Sequence, residues 1–126
     1  LPPGKIDDET LRASLPYEDE QGPHVFSMRK DTLSVGRGGS AVWVDVQVVT
    51  SPKVSREHFR IRRDGDSFFI QDLSTWGTSV NGSPIPPAIA GPDGVLRPGP
   101  EHPLGSPARI QMADALVIHF EARRDL

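Results

Sequence analysis

From His24 to Ala122 the apolar positions fall in short, β-branched runs separated by turn residues. That pattern predicts strands rather than helices, and an all-β sandwich or barrel. The predicted strands are Val25 to Arg29, Thr32 to Val35, Val42 to Val48, His58 to Arg62, Ser67 to Leu73, Ser79 to Val80, Ala108 to Met112 and Leu116 to Ala122. Alternation is cleanest at Val42, Val44, Val46 and Val48 and at Leu116, Ile118 and Phe120, so each of these segments should turn one face to a core. Trp43 and the adjacent Phe68 and Phe69 read as core. Asp64, Gly65 and Asp66, and then Asn81 and Gly82, read as tight hairpin turns, because Gly and Asn tolerate the positive φ that such turns demand.

Two stretches break the pattern. Residues 1–22 carry Asp7, Asp8, Glu9, Glu18, Asp19 and Glu20 with few large apolar groups and no period that could bury a face. They are expected to be a flexible acidic tail, with the folded domain over residues 23–126. Residues 84–107 are crowded with prolines and glycines and cannot supply regular ladder bonds, so they should form a loop between two late strands. The pattern leaves open whether that loop is ordered.

Composition narrows the function classes. A chain of 126 residues is sized for one domain that buries roughly two thirds of its unfolded surface. With no cysteine it has neither a disulfide framework nor a cysteine zinc site, which suits the reducing cytoplasm as its expected location. No apolar run approaches the length of about 18 residues needed to span a membrane as a helix. The chain begins at Leu1 rather than a methionine, as expected of a processed product or a piece of a longer protein. A net charge of −3 provides no general field for nucleic acid, so any anion site must be local.

Such a site is suggested between Val35 and Gly82, where Gly36, Arg37, Ser55, His58, Thr75, Gly77, Asn81 and Gly82 stand at the ends of apolar runs. A guanidinium, two hydroxyls and several glycines on neighbouring loops can form a rim that grips a phosphate. The order Gly36-Arg37, Ser55-Arg56-Glu57-His58, Asp72-Leu73-Ser74-Thr75-Trp76-Gly77-Thr78 and Val80-Asn81-Gly82 resembles the forkhead-associated (FHA) domain, over about His24 to Ala122. The resemblance implies a β-sandwich of about eleven strands whose loops bind phosphothreonine in a partner protein. It also implies an adaptor role in serine/threonine kinase signalling, with no enzyme activity and no cofactor.

By this resemblance Arg37, Ser55 and Thr75 contact the phosphate, and the backbone at Arg56 faces it. Lys53 lies on the loop that meets the third residue after the phosphothreonine, where a cation favours an acidic side chain. His58 braces the loop that carries the serine. Gly36, Gly77, Asn81 and Gly82 are read as scaffold. Trp76 departs from the family pattern, in which an asparagine there bonds to the backbone of the bound peptide; an indole donates one hydrogen bond and accepts none. Some bacterial members fold a phosphorylated tail threonine back onto their own domain, which makes Thr10, after Asp7, Asp8 and Glu9, a candidate for modification.

Other chemistries are weaker. The same fold docking an unphosphorylated partner is favoured by Trp76. A serine hydrolase built on Ser55 and His58, with Asp72 as the nearby acid, would lack a GxSxG elbow and an evident oxyanion hole. His24, His58, His102 and His119 lack metal-ligand spacing, and Asp64 with Asp66 reads as a turn before a calcium loop, so no metal is expected. Arg60, Arg62 and Arg63 form a basic cluster that reads as a solvated strand face rather than a nucleic-acid contact.

Overall fold

A computed structural model of the chain describes residues 12–123. Its thirteen strands are β1 (Arg12–Asp19), β2 (Gly22–Met28), β3 (Thr32–Gly36), β4 (Val46–Gln47), β5 (Phe59–Asp64), β6 (Ser67–Asp72), β7 (Thr78–Val80), β8 (Ser83–Pro84), β9 (Ile89–Ala90), β10 (Leu96–Arg97), β11 (His102–Leu104), β12 (Ala108–Met112) and β13 (Leu116–Arg123). A six-stranded sheet in the order β2-β1-β13-β12-β7-β8 faces a five-stranded sheet in the order β11-β6-β5-β3-β4, with β9 and β10 forming a separate ribbon. The two large sheets make the predicted sandwich.

Period-two alternation places the core between the sheets. Leu15, Ile110, Ile118 and Phe120 enter from one side and Leu33, Val35, Phe59, Ile61 and Ile70 from the other, all essentially without exposed surface. Phe68 meets Phe120 across the sandwich edge-to-face at 5.0 Å between ring centroids. Each such large side chain removed from water contributes about 1.5–3 kcal/mol, and this contribution holds the sheets together.

The expected acidic tail needs correction from Arg12 onward. Residues 12–19 form β1, which is hydrogen-bonded on both sides, to β2 and to β13. Only Ala13 and Leu15 carry the buried face, a signal diluted by the charges of Arg12, Glu18, Asp19 and Glu20. Asp19 is a connector rather than a solvated charge: its carboxylate accepts the N–H groups of Gln21 and Val49, each at 2.9 Å, and bonds His24 Nε2 at 3.0 Å. Burial disfavours its charge, but those bonds outweigh burial and hold the Asp19 carboxyl below its usual range. Thr10 lies outside the described residues.

The strand expected from Val42 to Val48 shrinks to Val46–Gln47. Val44, Val46 and Val48 are buried as the alternation predicts. The segment before them leaves the ladder because the Asp45 carboxylate accepts the Ser34 N–H at 2.8 Å, in place of a strand carbonyl. Lys30 pairs with that carboxylate at 2.7 Å and also lies 5.1 Å from the ring of Trp43. Trp43, expected in the core, is 73% exposed.

Residues 84–107 are ordered into the β9–β10 ribbon and β11, which pairs with β6 through His102 to Leu104. Both predicted hairpin turns are present. Asn81 and Gly82 adopt φ of 53° and 85° between β7 and β8. The Asn81 side chain also accepts the Arg109 N–H at 2.9 Å, while its own N–H donates to the Arg109 carbonyl at 2.8 Å.

Candidate functional site

Three loops meet at one end of the sandwich: the one after β3 carrying Arg37, the one before β5 carrying Lys53 to His58, and the β6–β7 loop carrying Leu73 to Gly77. Gly36 permits the first two to touch, since a Cβ there would lie 2.8 Å from the Ser55 carbonyl oxygen and closer still to that of Arg56. The Arg37 N–H consequently donates to Ser55 O at 3.1 Å and the Gly38 N–H to Arg56 O at 2.9 Å.

His58 ties the second loop to the third. Its ring is wholly buried; Nδ1 accepts the Ser55 N–H at 3.0 Å and Nε2 bonds the Gly77 carbonyl at 2.8 Å. These partners select the tautomer protonated on Nε2. Burial pushes the ring's pKa down, outweighing the bond to Gly77 and the field of Asp72, which both favour the charged form. The Ser55 hydroxyl oxygen accepts the Thr75 N–H at 3.2 Å, which leaves the hydroxyl proton available for a ligand. His58 therefore addresses the serine backbone, and its hydrogen bonds do not form a nucleophile–base pair with the Ser55 hydroxyl.

Asp72 shapes the third loop from beneath. One wholly buried carboxylate oxygen accepts the Ser74 hydroxyl at 2.6 Å and the Thr78 hydroxyl at 2.7 Å, and the other accepts the Ala88 N–H at 2.9 Å. The Ser74 hydroxyl oxygen in turn accepts the Gly77 N–H at 2.8 Å. In the sequence Asp72 stands within the FHA-like motif and as the nearby acid of a hydrolase, without a loop-shaping role. Its signal was the Asp-x-Ser spacing, in which a side chain closes a turn with the backbone two residues on.

Between these loops lies an open hollow of about 340 Å³ lined by Arg37, Ser55, Arg56, Thr75 and Trp76, together with Pro52, Leu73 and Leu96. Among the described residues, no carboxylate lines it. The Arg37 Nε donates to the Val54 carbonyl, which fixes the guanidinium while its terminal nitrogens stay without a partner among the described residues. Arg56 likewise has no acidic partner there, whereas Arg60, Arg62 and Arg63 are matched by Glu57, Glu101 and Asp31. Two guanidinium groups and two hydroxyls around a carboxylate-free hollow can take a multiply charged anion.

The sequence-predicted contacts thus fall together, with one exception. Lys53 lines a second hollow of about 250 Å³ with Trp76, Ala113 and Asp114, and its ammonium already pairs with Asp114 at 3.1 Å. An acidic ligand group there would have to displace that carboxylate. Trp76, 65% exposed, borders both hollows.

A larger hollow, about 790 Å³, lies elsewhere, on the outer face of the six-stranded sheet. Its lining includes Glu18 and Asp114 beside His24, Arg109 and His119, so its charges are mixed. The smaller hollow at the loops has the concentrated chemistry.

The family model of the FHA domain matches residues 33–113, more than half of the chain. The chain belongs to the FHA family. This FHA domain is similar to the FhaA FHA domain solved in complex with the intracellular domain of Rv3910, at 25% identity and a TM-score of 0.62, covering 86% of this chain and 99% of that one. It is also similar to an FHA domain solved in a structural and functional study of phosphothreonine-dependent FHA interactions, at 25% identity and a TM-score of 0.60, covering 87% and 95% of the two chains. The N-terminal FHA domain of Rad53p from S. cerevisiae, solved with a phosphothreonine peptide, shares the fold at a TM-score of 0.65 and 17% identity, covering 87% and 92%. No curated protein matches the chain.

Proposed function

We propose that this FHA domain binds a phosphothreonine-bearing segment of a partner protein in the hollow between Arg37, Ser55, Arg56 and Thr75, and serves as a non-enzymatic adaptor in cytoplasmic serine/threonine kinase signalling. The observation that carries the proposal is a hollow whose described lining holds no carboxylate and whose two guanidinium groups have no acidic partner among the described residues, in a chain whose net charge is −3. Two FHA relatives described above, including the Rad53p domain solved with its peptide, are associated with phosphothreonine.

Phosphothreonine carries about −1.5 to −2 charges and three acceptor oxygens at neutral pH. Arg37 offers its terminal nitrogens, and Ser55 and Thr75 one hydroxyl each. Charge-assisted bonds contribute about 1.5–3 kcal/mol apiece, so three of them supply about 4.5–9 kcal/mol before the cost of ordering the peptide, and these contacts alone give an affinity no tighter than about 1 μM.

The test is calorimetric titration with matched peptides bearing threonine, phosphothreonine or phosphoserine. We expect binding of the phosphothreonine form, preference over phosphoserine, and a loss of about 1.5–3 kcal/mol in Arg37→Ala. Equal affinity for the threonine and phosphothreonine peptides would overturn the proposal in favour of phosphate-independent docking through exposed Trp76.

A further inference from the structure

Three of the four edges of the two large sheets are short. Strands β8 and β4 have two residues each, and β11 has three with Pro103 in the middle. The fourth edge is β2, Gly22–Met28, which runs for seven residues without a charged side chain. A long uncharged edge presents a row of unpaired backbone groups, and natural sheets normally blunt it with charge, brevity or proline. Pro23 blunts only the end of β2 next to the turn. Val25, 67% exposed, and Ser27 follow it on the same outer face of the sheet.

Two prolines show which way the backbone of β2 points. In the β1–β2 register Pro16 faces Val25 and Pro23 faces Glu18. Neither proline has an N–H, so the doubly bonded pairs of this ladder are the alternate ones, Leu15 with Phe26 and Tyr17 with His24. The N–H and C=O of Val25 and Ser27, and the C=O of Pro23, therefore point away from β1 to the open side. None of these groups has a partner in a described turn or loop. At the two ends of the strand, Glu20 in the turn and Arg29 just after Met28 are exposed, with no charged partner among the described residues.

We propose that β2 is a self-association edge, along which two copies of this chain pair antiparallel about Val25 and join their six-stranded sheets into one. In that register the Val25 N–H and C=O of each copy exchange hydrogen bonds, and the Ser27 N–H of each donates to the Pro23 C=O of the other. Both outward N–H groups find acceptors, and the donor that Pro23 lacks is not called upon. The side chains suit the same register. Val25 packs beside its counterpart with a Pro16 on either flank, and Arg29 and Lys30 of one copy come beside Glu20 in the turn of the other. Parallel pairing would instead set the acidic turns, Glu18 to Glu20, against each other. The Glu20 N–H donates to the Val49 carbonyl at 3.0 Å, which places the β1–β2 turn at the loop end of the sandwich. The antiparallel pair consequently points its two cradles proposed for phosphate, between Arg37, Ser55 and Thr75, in opposite directions, and each copy takes its own ligand.

The test combines sedimentation equilibrium of the whole chain with amide hydrogen exchange at rising protein concentration. An edge-to-edge seam is small, so the expected dissociation constant is about 0.1 mM. Above it the Val25 and Ser27 amides should exchange at least about tenfold more slowly than in dilute solution, whereas Phe26, already paired with β1, should be equally slow in both. Val25→Lys sets like charges side by side at the centre of the seam and should weaken association at least about tenfold. Its melting temperature should stay close to that of the natural protein, because the side chain it replaces is exposed. Arg29→Glu should weaken association about threefold, and Glu20→Arg added to it should restore the natural value. A monomer at about 1 mM, exchange at Val25 and Ser27 that ignores concentration, or a dimer undiminished in Val25→Lys would overturn the proposal.

Discussion

At the residue scale, the buried ring of His58 commits both nitrogens to backbone groups of two different loops, Ser55 and Gly77. Removing it leaves a buried N–H and a carbonyl with one partner fewer, and His58→Ala should cost about 1–3 kcal/mol of stability. Its pKa, lowered from 6.5 by burial, fixes the pH dependence. Above 6.5 the ring is neutral in folded and unfolded chains alike. Below it the unfolded chain takes up a proton that the folded one resists, so stability is lost as pH falls through the folded pKa. Thermal melts at pH 7.5 and 5.5 should show a drop in the natural protein that is smaller in His58→Ala. Equal drops in both would assign the titration to another group. Arg37 is also more than a rim cation, since its Nε bond to the Val54 carbonyl anchors the guanidinium proposed to contact phosphate. Arg37→Lys keeps the charge but loses both anchor and fork, and should recover only part of what Arg37→Ala loses in binding.

At the scale of elements, alternation was legible wherever backbone pairing and side-chain burial coincided, as in β12 and β13. It misled where they parted. Val44, Val46 and Val48 are buried, but a side chain, Asp45, supplies the acceptor that a neighbouring strand would have provided. The cradle was legible because its loop residues are bound to fixed strand ends, whereas Leu96 reaches it through a fold of the Pro/Gly-rich segment that has no local period. Asp72 joins the two. In Asp72→Asn one side-chain oxygen can still accept Ser74 and Thr78, but an amide nitrogen cannot accept the Ala88 N–H. The variant should melt at lower temperature, with about 1–3 kcal/mol lost. Amide shifts in nuclear magnetic resonance spectra should extend into residues 88–99. A variant whose ribbon resonances stay unmoved would show that Asp72 does not position the ribbon.

At the scale of the whole molecule, the matched family segment and the folded unit have different bounds. Residues 33–113 include the hollow between Arg37, Ser55 and Thr75 and the β9–β10 ribbon but exclude β1, β2 and β13. Those strands occupy one side of the six-stranded sheet, with β1 and β13 in its interior. Without them, β12 loses its ladder partner from Ala108 to Met112, and Ile110 and Met112 lose Leu116, Ile118 and Phe120 from the core they share. The remaining strands would expose an apolar face and a bare edge, which favours aggregation over folding. A fragment of residues 33–113 should therefore show no cooperative melt and no dispersed amide spectrum, while residues 12–123 should melt in one transition. A fragment beginning at Gly22 provides the sharper case, because it restores β13 and β2 yet lacks β1 between them. It too should fail to melt cooperatively. A native-like melt for that fragment would mean that β2 can reach β13 directly and that the strand formed by residues 12–19 is dispensable.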